Sequence, residues 1–87
     1  MDSSEFRKHG HALVDWVADY LATSERYPVL PRVAPGQVRA ALPASAPEHG
    51  EPFEQIFSDF ERVIVPALTH WNHPGFFAYF AITASEP

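Results

Sequence analysis

An all-α fold, built from two long amphipathic helices, one short helix and a proline-rich strap, follows from two observations on the sequence. Residues 4–23 and 52–68 each carry apolar side chains at helical period. The stretch between them holds five of the chain's nine prolines, which leave little room for a long element.

The first helix is the clearest. At 100° per residue Phe6, Gly10, Leu13, Val14, Trp16, Val17, Tyr20 and Leu21 fall within about 160° of one another. Lys8, His11, Asp15 and Asp19 fall opposite. Asp2 or Ser3 can cap the first turn, and Asp2 with Glu5 has the spacing of a capping box. Gly10 lies on the apolar face, where it costs about 1 kcal/mol of helix propensity relative to alanine. It is read either as the site of a close helix crossing or as a tolerated small residue.

From Tyr27 to Pro35 three prolines in nine residues hold the chain extended. The Pro28-Val29-Leu30-Pro31-Arg32 string loosely fits a polyproline ligand, but such matches are short and common. A short helix over Pro35–Leu42 is expected, with Pro35 in its first turn, where a missing N–H costs nothing. A plain loop, Pro43 to Gly50, follows. The second long helix is expected from Pro52 to Leu68, with Phe53, Ile56, Phe57, Phe60, Val63, Ile64, Ala67 and Leu68 within about 140°. Pro66 removes a hydrogen bond and crowds the Arg62 carbonyl, which predicts a kink or a helix ending near Val65 with a separate last turn.

The 87 residues suffice for one small domain, which would bury roughly 60% of its unfolded surface if it folded alone. At 46% hydrophobic and 14% aromatic the composition is rich for that size. Two wide apolar faces cannot both be covered by a strap and a short helix, so a sizeable exposed apolar patch is expected. The net charge of −5 and the lack of a basic run disfavour nucleic acid and anionic membrane as partners. There is no cysteine, hence neither disulfide nor thiolate metal site. No secretory leader and no apolar run of about 20 residues is visible, so a cytoplasmic protein is expected. The end at Ser85-Glu86-Pro87, directly after an aromatic run, reads as one piece of a longer protein.

Catalytic constellations are missing. His70 and His73 alone do not make a zinc site, which wants three or four ligands, so no metal is expected. There is no nucleophile elbow and no glycine-rich phosphate loop. The single lysine, Lys8, sits on the polar face of the first helix, a poor place for Schiff-base chemistry. The stretch Thr69-His70-Trp71-Asn72-His73-Pro74-Gly75-Phe76-Phe77-Ala78-Tyr79-Phe80 differs from the rest: five aromatic rings and two histidines surround a Pro-Gly pair. Its composition suits either a wall of an aromatic-binding pocket or plain core packing.

Several strings carry a resemblance. They are Glu5-Phe6-Arg7 with Gly10 and Val14-Asp15, Pro35-Gly36, Leu42-Pro43, Ala46-Pro47, Phe53-Glu54, and above all Thr69-His70-Trp71, Pro74 and Phe76-Phe77-Ala78-Tyr79-Phe80. Over its whole length the chain resembles the N-terminal segment of group II pyridoxal-phosphate-dependent decarboxylases, the aromatic-L-amino-acid decarboxylase family. The resemblance implies a small helical flap of a larger enzyme, with residues 1–69 as a dimerisation flap and 70–87 as a substrate-side segment. It implies a homodimer formed through the Phe6–Leu21 and Phe53–Leu68 helices, an amino-acid substrate, and pyridoxal 5'-phosphate held by a downstream domain. No catalytic or cofactor-binding residue lies in this chain, which alone is expected to be inactive.

The resemblance further implies substrate contacts at Trp71, Tyr79 and Phe80, with Phe76 and Phe77 as packing. Animal members of the family read Pro-Thr after the Tyr-Phe pair, and the threonine contacts substrate. An ungapped reading sets Ala81-Ile82 at those places, with Thr83 one residue further on. Ile82 would contribute backbone and apolar bulk. Ile82 and Thr83 thus join the candidate substrate contacts, and this departure leaves the threonine contact and the exact substrate open. Glu86 replaces an expected neutral residue without explanation. The alternative function, from the residues alone, is a stand-alone helical module that dimerises through its apolar faces. A reading frame continuing into a cofactor-lysine motif would favour the enzyme, an immediate stop the module.

Overall fold

The computed structural model describes residues 1–78, which are helical with no strand among them. The chain divides into two compact units, one made of the stretch Met1–Val29 with the segment that begins at His70, the other of Leu30–Thr69.

In the first unit α1 spans Ser3–Ala22. Asp2 is its N-cap: one carboxylate oxygen accepts from the Ser4 and Glu5 amides at 2.8 and 2.9 Å. Glu5 Oε2 accepts in turn from the Asp2 amide at 2.9 Å, which completes the capping box and satisfies three donors at the helix start. At the other end the Thr23 amide and hydroxyl both donate to the Asp19 carbonyl, at 3.0 and 2.7 Å. A 3₁₀ turn, Ser24–Arg26, then swings the chain into the strap. No residue of α1 is buried, and its apolar face stays open, with Phe6 70% exposed and Val14 and Val17 also exposed.

In the second unit the short helix α2 spans Gln37–Ala41. Pro35 therefore lies outside it. Gly36 is its N-cap, at φ 83°, a left-handed conformation that costs a side-chain-bearing residue about 1–2 kcal/mol. The Gln37 side chain reaches back to accept from the Ala34 amide at 3.0 Å. Leu42 is extended at ψ 152°, as a residue before proline prefers, and the helix stops there.

The second long helix forms in three pieces. Helix α3 spans Phe53–Asp59, a π-helical turn covers Phe60–Ile64, and a 3₁₀ turn covers Val65–Ala67. Pro66 is the reason. Carried inside an α-helix it would cost about 3 kcal/mol, because it lacks an N–H and its ring meets the Arg62 carbonyl. The widened turn, in which the Val65 amide donates to the Phe60 carbonyl, lets the chain pass the proline and close with a separate last turn. Phe53, Phe57 and Phe60 stack in sequence at 5.7 and 6.1 Å. Val65, 4% exposed, is the buried apolar residue among those described. Beside the π turn Val33, Val38, Ala41, Val63 and Pro66 line a groove of about 370 Å³.

Gly36→Ala should lower the unfolding free energy of the protein by about 1–2 kcal/mol, because space is open there but the backbone is not. Gly36→Asn should cost less. Urea unfolding of the three proteins checks the ranking; an alanine variant as stable as the parent would refute the strain.

Candidate functional site

The residues that the sequence singles out begin where the chain returns to α1. Three bonds hold that return. The His70 amide donates to the Val29 carbonyl at 3.1 Å. The Ser24 hydroxyl, buried at the end of α1, donates to the Asn72 carbonyl at 3.1 Å. The Tyr20 hydroxyl and His70 Nδ1 are hydrogen-bonded at 2.9 Å. His70 is 1% exposed, the most buried large side chain among those described.

Rings build the surroundings. Tyr27 stacks on the His70 ring at 4.5 Å and 20°. Trp16 stacks one helical turn below Tyr20 at 5.4 Å and 6°, the i, i+4 spacing that brings side chains of a helix face together. Arg26 caps the group: its guanidinium donates to the Tyr27 hydroxyl at 2.8 Å and lies 4.9 Å from that ring's centre. Burial, and to a smaller degree the neighbouring Tyr27, raises the Tyr20 hydroxyl above its ordinary pKa of 10.0, so it stays protonated as a hydrogen-bonding phenol throughout the physiological range.

From His70 the chain makes two tight turns. The His73 amide donates to the His70 carbonyl and the Phe76 amide to the His73 carbonyl, both at 3.0 Å. His73 Nδ1 accepts from the Gly75 amide at 2.8 Å, which requires that nitrogen to be unprotonated. A side chain on Gly75 would meet His73 Nδ1 at 3.1 Å and Val29 Cγ2 at 3.3 Å, so the bare backbone is what fits. These turns set Trp71 with its indole stacked on Phe76 at 6.1 Å, yet 51% exposed.

Of the predicted substrate contacts, Trp71 is the one among the described residues, and it is half exposed. Tyr79, Phe80, Ile82 and Thr83 lie outside the described residues, as does Glu86. Phe76 is half-buried with its ring stacked on Trp71, whereas Phe77, expected as packing, is 88% exposed and is no part of a core formed by the described residues. The sequence pattern missed the role of His70, which it weighed only as a metal ligand, and of Tyr20, which it counted as part of an apolar face. A signal was there: a tyrosine on an apolar stripe needs a partner for its hydroxyl once it packs. Among the described residues no group of three or more His, Cys, Asp or Glu side chains is arranged to hold a metal ion. No helix among them is long and apolar enough to cross a membrane.

Residues 35–87 match the family described as the pyridoxal-dependent decarboxylase conserved domain. The chain is 49% identical over its whole length to an aromatic-L-amino-acid decarboxylase of Mus musculus, of which it covers 18%. It is 52% identical, over 98% of its length, to a phenylacetaldehyde synthase of a Rosa hybrid cultivar, of which it covers 17%. Among solved structures, Catharanthus roseus tryptophan decarboxylase in complex with L-tryptophan superposes with a TM-score of 0.87 at 42% identity, over 98% of this chain and 18% of that one. Rhodiola rosea 4-hydroxyphenylacetaldehyde synthase does so with a TM-score of 0.86 at 46% identity and the same coverage. The chain therefore spans less than a fifth of the length of these relatives.

The raised Tyr20 pKa has a consequence for stability. The folded state keeps this proton at a pH where the unfolded chain releases it, so the contribution is whole below about pH 10 and is lost as pH rises through the folded value. Stability should therefore fall more steeply above pH 10 for the parent than for Tyr20→Phe, measured by urea unfolding across pH 8–11 (a range chosen around the tyrosine value of about 10). Parallel curves would refute the linkage.

Proposed function

The chain belongs to the pyridoxal-dependent decarboxylase family, and on that premise we propose that it is the N-terminal part of a cytoplasmic enzyme that decarboxylates aromatic or related L-amino acids. Identity of 49% to an aromatic-L-amino-acid decarboxylase over the whole chain is the observation that carries this reading. In it, residues 1–69 form a flap at a homodimer interface, and 70–87 furnish one wall of the substrate pocket.

The described residues do not suit the cofactor themselves. Lys8 is exposed on α1, and residues 69–87 contain no lysine or arginine. The reading therefore leaves pyridoxal phosphate, which supplies an electron sink for the carbanion left by loss of carbon dioxide, to a downstream domain. What this chain's residues contribute is substrate fit. Trp71 offers a flat, half-exposed indole for an aromatic side chain, and in this reading Tyr79, Phe80, Ile82 and Thr83 are further substrate contacts. This is binding and orientation, not chemistry.

The dimer proposal is supported by exposed apolar surface. Phe6, Leu13, Val14 and Val17 follow one another along α1, and Ile56 and Leu68 are exposed on the second long segment. Covering each such side chain fully would be worth about 1.5–3 kcal/mol. Gly10 sits on the same face with nothing within 4 Å of where a Cβ would lie, open space that a second helix could enter. A related reading is favoured by the 52% identity to a phenylacetaldehyde synthase: the protein turns the amino acid into an aldehyde instead of an amine. In it dioxygen is the two-electron oxidant, reduced to hydrogen peroxide, water supplies the aldehyde oxygen, and carbon dioxide and ammonia are released. Product analysis with each aromatic L-amino acid separates the two. An amine with release of carbon dioxide is expected, an aldehyde supports the related reading, and no turnover refutes both.

Two further outcomes are expected of the full-length protein. Tyr79→Ala should reduce decarboxylation at least tenfold while moving the melting temperature by only a few degrees, a shift on the order of 1 kcal/mol; equal losses of both would favour plain packing. Removal of residues 1–65 should give monomers or aggregate in size-exclusion chromatography with light scattering. A truncated protein that remained a cooperative dimer would refute the flap.

A further inference from the structure

The residue before Trp71 and the residue after it are both tied to the end of α1. On one side His70 is held by the Tyr20 hydroxyl at 2.9 Å and by its own amide on the Val29 carbonyl at 3.1 Å. On the other side the Asn72 carbonyl accepts from Ser24 Oγ at 3.1 Å. The ring between them is half exposed and stacks on Phe76 at 6.1 Å. The backbone that carries this stacked pair is held on both sides of Trp71 by α1 and the turns that follow it.

The means used here is informative. An apolar side chain at position 70 would fill the same space at no desolvation cost, whereas a buried imidazole is tolerated only with its polar atoms satisfied. What a hydrogen bond adds over apolar contact is direction. The Tyr20–His70 bond fixes the rotation of the imidazole, Tyr27 stacks on that ring, and the parallel Trp16 ring steadies Tyr20 from one helical turn away.

We infer that Tyr20 and His70 are positioning residues of the substrate pocket: their hydrogen bond orients the adjoining Trp71 against the aromatic side chain of the substrate without touching that substrate. The inference rests on the proposed decarboxylase reading. It assigns to the first helix, otherwise the flap, a second task in substrate selection. Under it the hydroxyl of Tyr20 acts on the fit of the substrate ring and leaves bond-breaking alone.

The test uses the full-length holoenzyme with Tyr20→Phe, which keeps the ring and its stacking and removes the bond whichever atom carries the proton. The KM for an aromatic L-amino acid should rise roughly three- to tenfold, the fold-change of one net hydrogen bond, with kcat within about twofold. Peptides spanning 70–76 should exchange their amide hydrogens faster, while those of residues 3–16 should not. In a double-mutant cycle the KM effect should vanish in a Trp71→Ala background. Additive effects in that cycle, unchanged exchange at 70–76, or equal loss of kcat and kcat/KM together with the melting temperature would each overturn the positioning role. An active parent enzyme beside an unaltered variant refutes this inference alone. A parent enzyme inactive on every aromatic amino acid refutes the proposed function, and this inference with it.

Discussion

The bond between the Tyr20 hydroxyl and His70 is the constraint on which the first unit depends. It joins residues 50 positions apart in the chain and lies at the most buried point of the described structure. Without it, a near-fully buried imidazole would lose the partner of its Nδ1, at a cost of about 1–3 kcal/mol for an unmet polar group. That is a large share of what so small a unit can gain from burial. The 3₁₀ turn after α1, the Val29 carbonyl and the Ser24 hydroxyl all converge on the same return of the chain. The tight turns from His70 to Phe76 then follow from local chemistry, with His73 accepting from the amide of Gly75.

Outside this seam little is buried. The chain is 46% hydrophobic, yet only Val65 among the described apolar residues is closed off from solvent. Surface scaling explains part of this, since a short chain encloses little volume. Composition explains the rest: wide apolar stripes on α1 and on the segment from Phe53 to Ala67 each need a neighbour. In the family to which the chain belongs it spans less than a fifth of its relatives' length. The proposed flap would cover those stripes with a second subunit.

Local sequence made the helices legible. The 3.6-residue stripe of α1 and the Asp2–Glu5 capping box could be read directly, because each depends on residues within one or two turns. Pro66 announced a break, and the chain answers with a π turn and a separate last turn. Helix α2 starts two residues later than the sequence pattern predicts. Pro35 suits a first helical turn, but Gly36 alone tolerates φ 83° and so takes the capping position. Of the candidate site, the string around Trp71 is legible as a resemblance, whereas the bonds that tie its neighbours His70 and Asn72 are not. Tyr20 reads as one more apolar residue and His70 as one of two histidines too few for a metal site, since nothing in the neighbourhood of either points to the other.

By itself the sequence determined the two helical stripes, the proline breaks, the surplus of apolar surface and the family resemblance at Thr69–Phe80, all carried by residues near in the chain or by their composition. Only the tertiary structure decided that His70 is buried, that Tyr20 holds it, and that Trp71 stands half exposed between two tethers on the end of α1. The physical reason is range. Periodicity and capping report interactions across three or four residues, while a hydrogen bond between positions 20 and 70 exists only after the strap has brought the chain back, and no local preference records where that return will land.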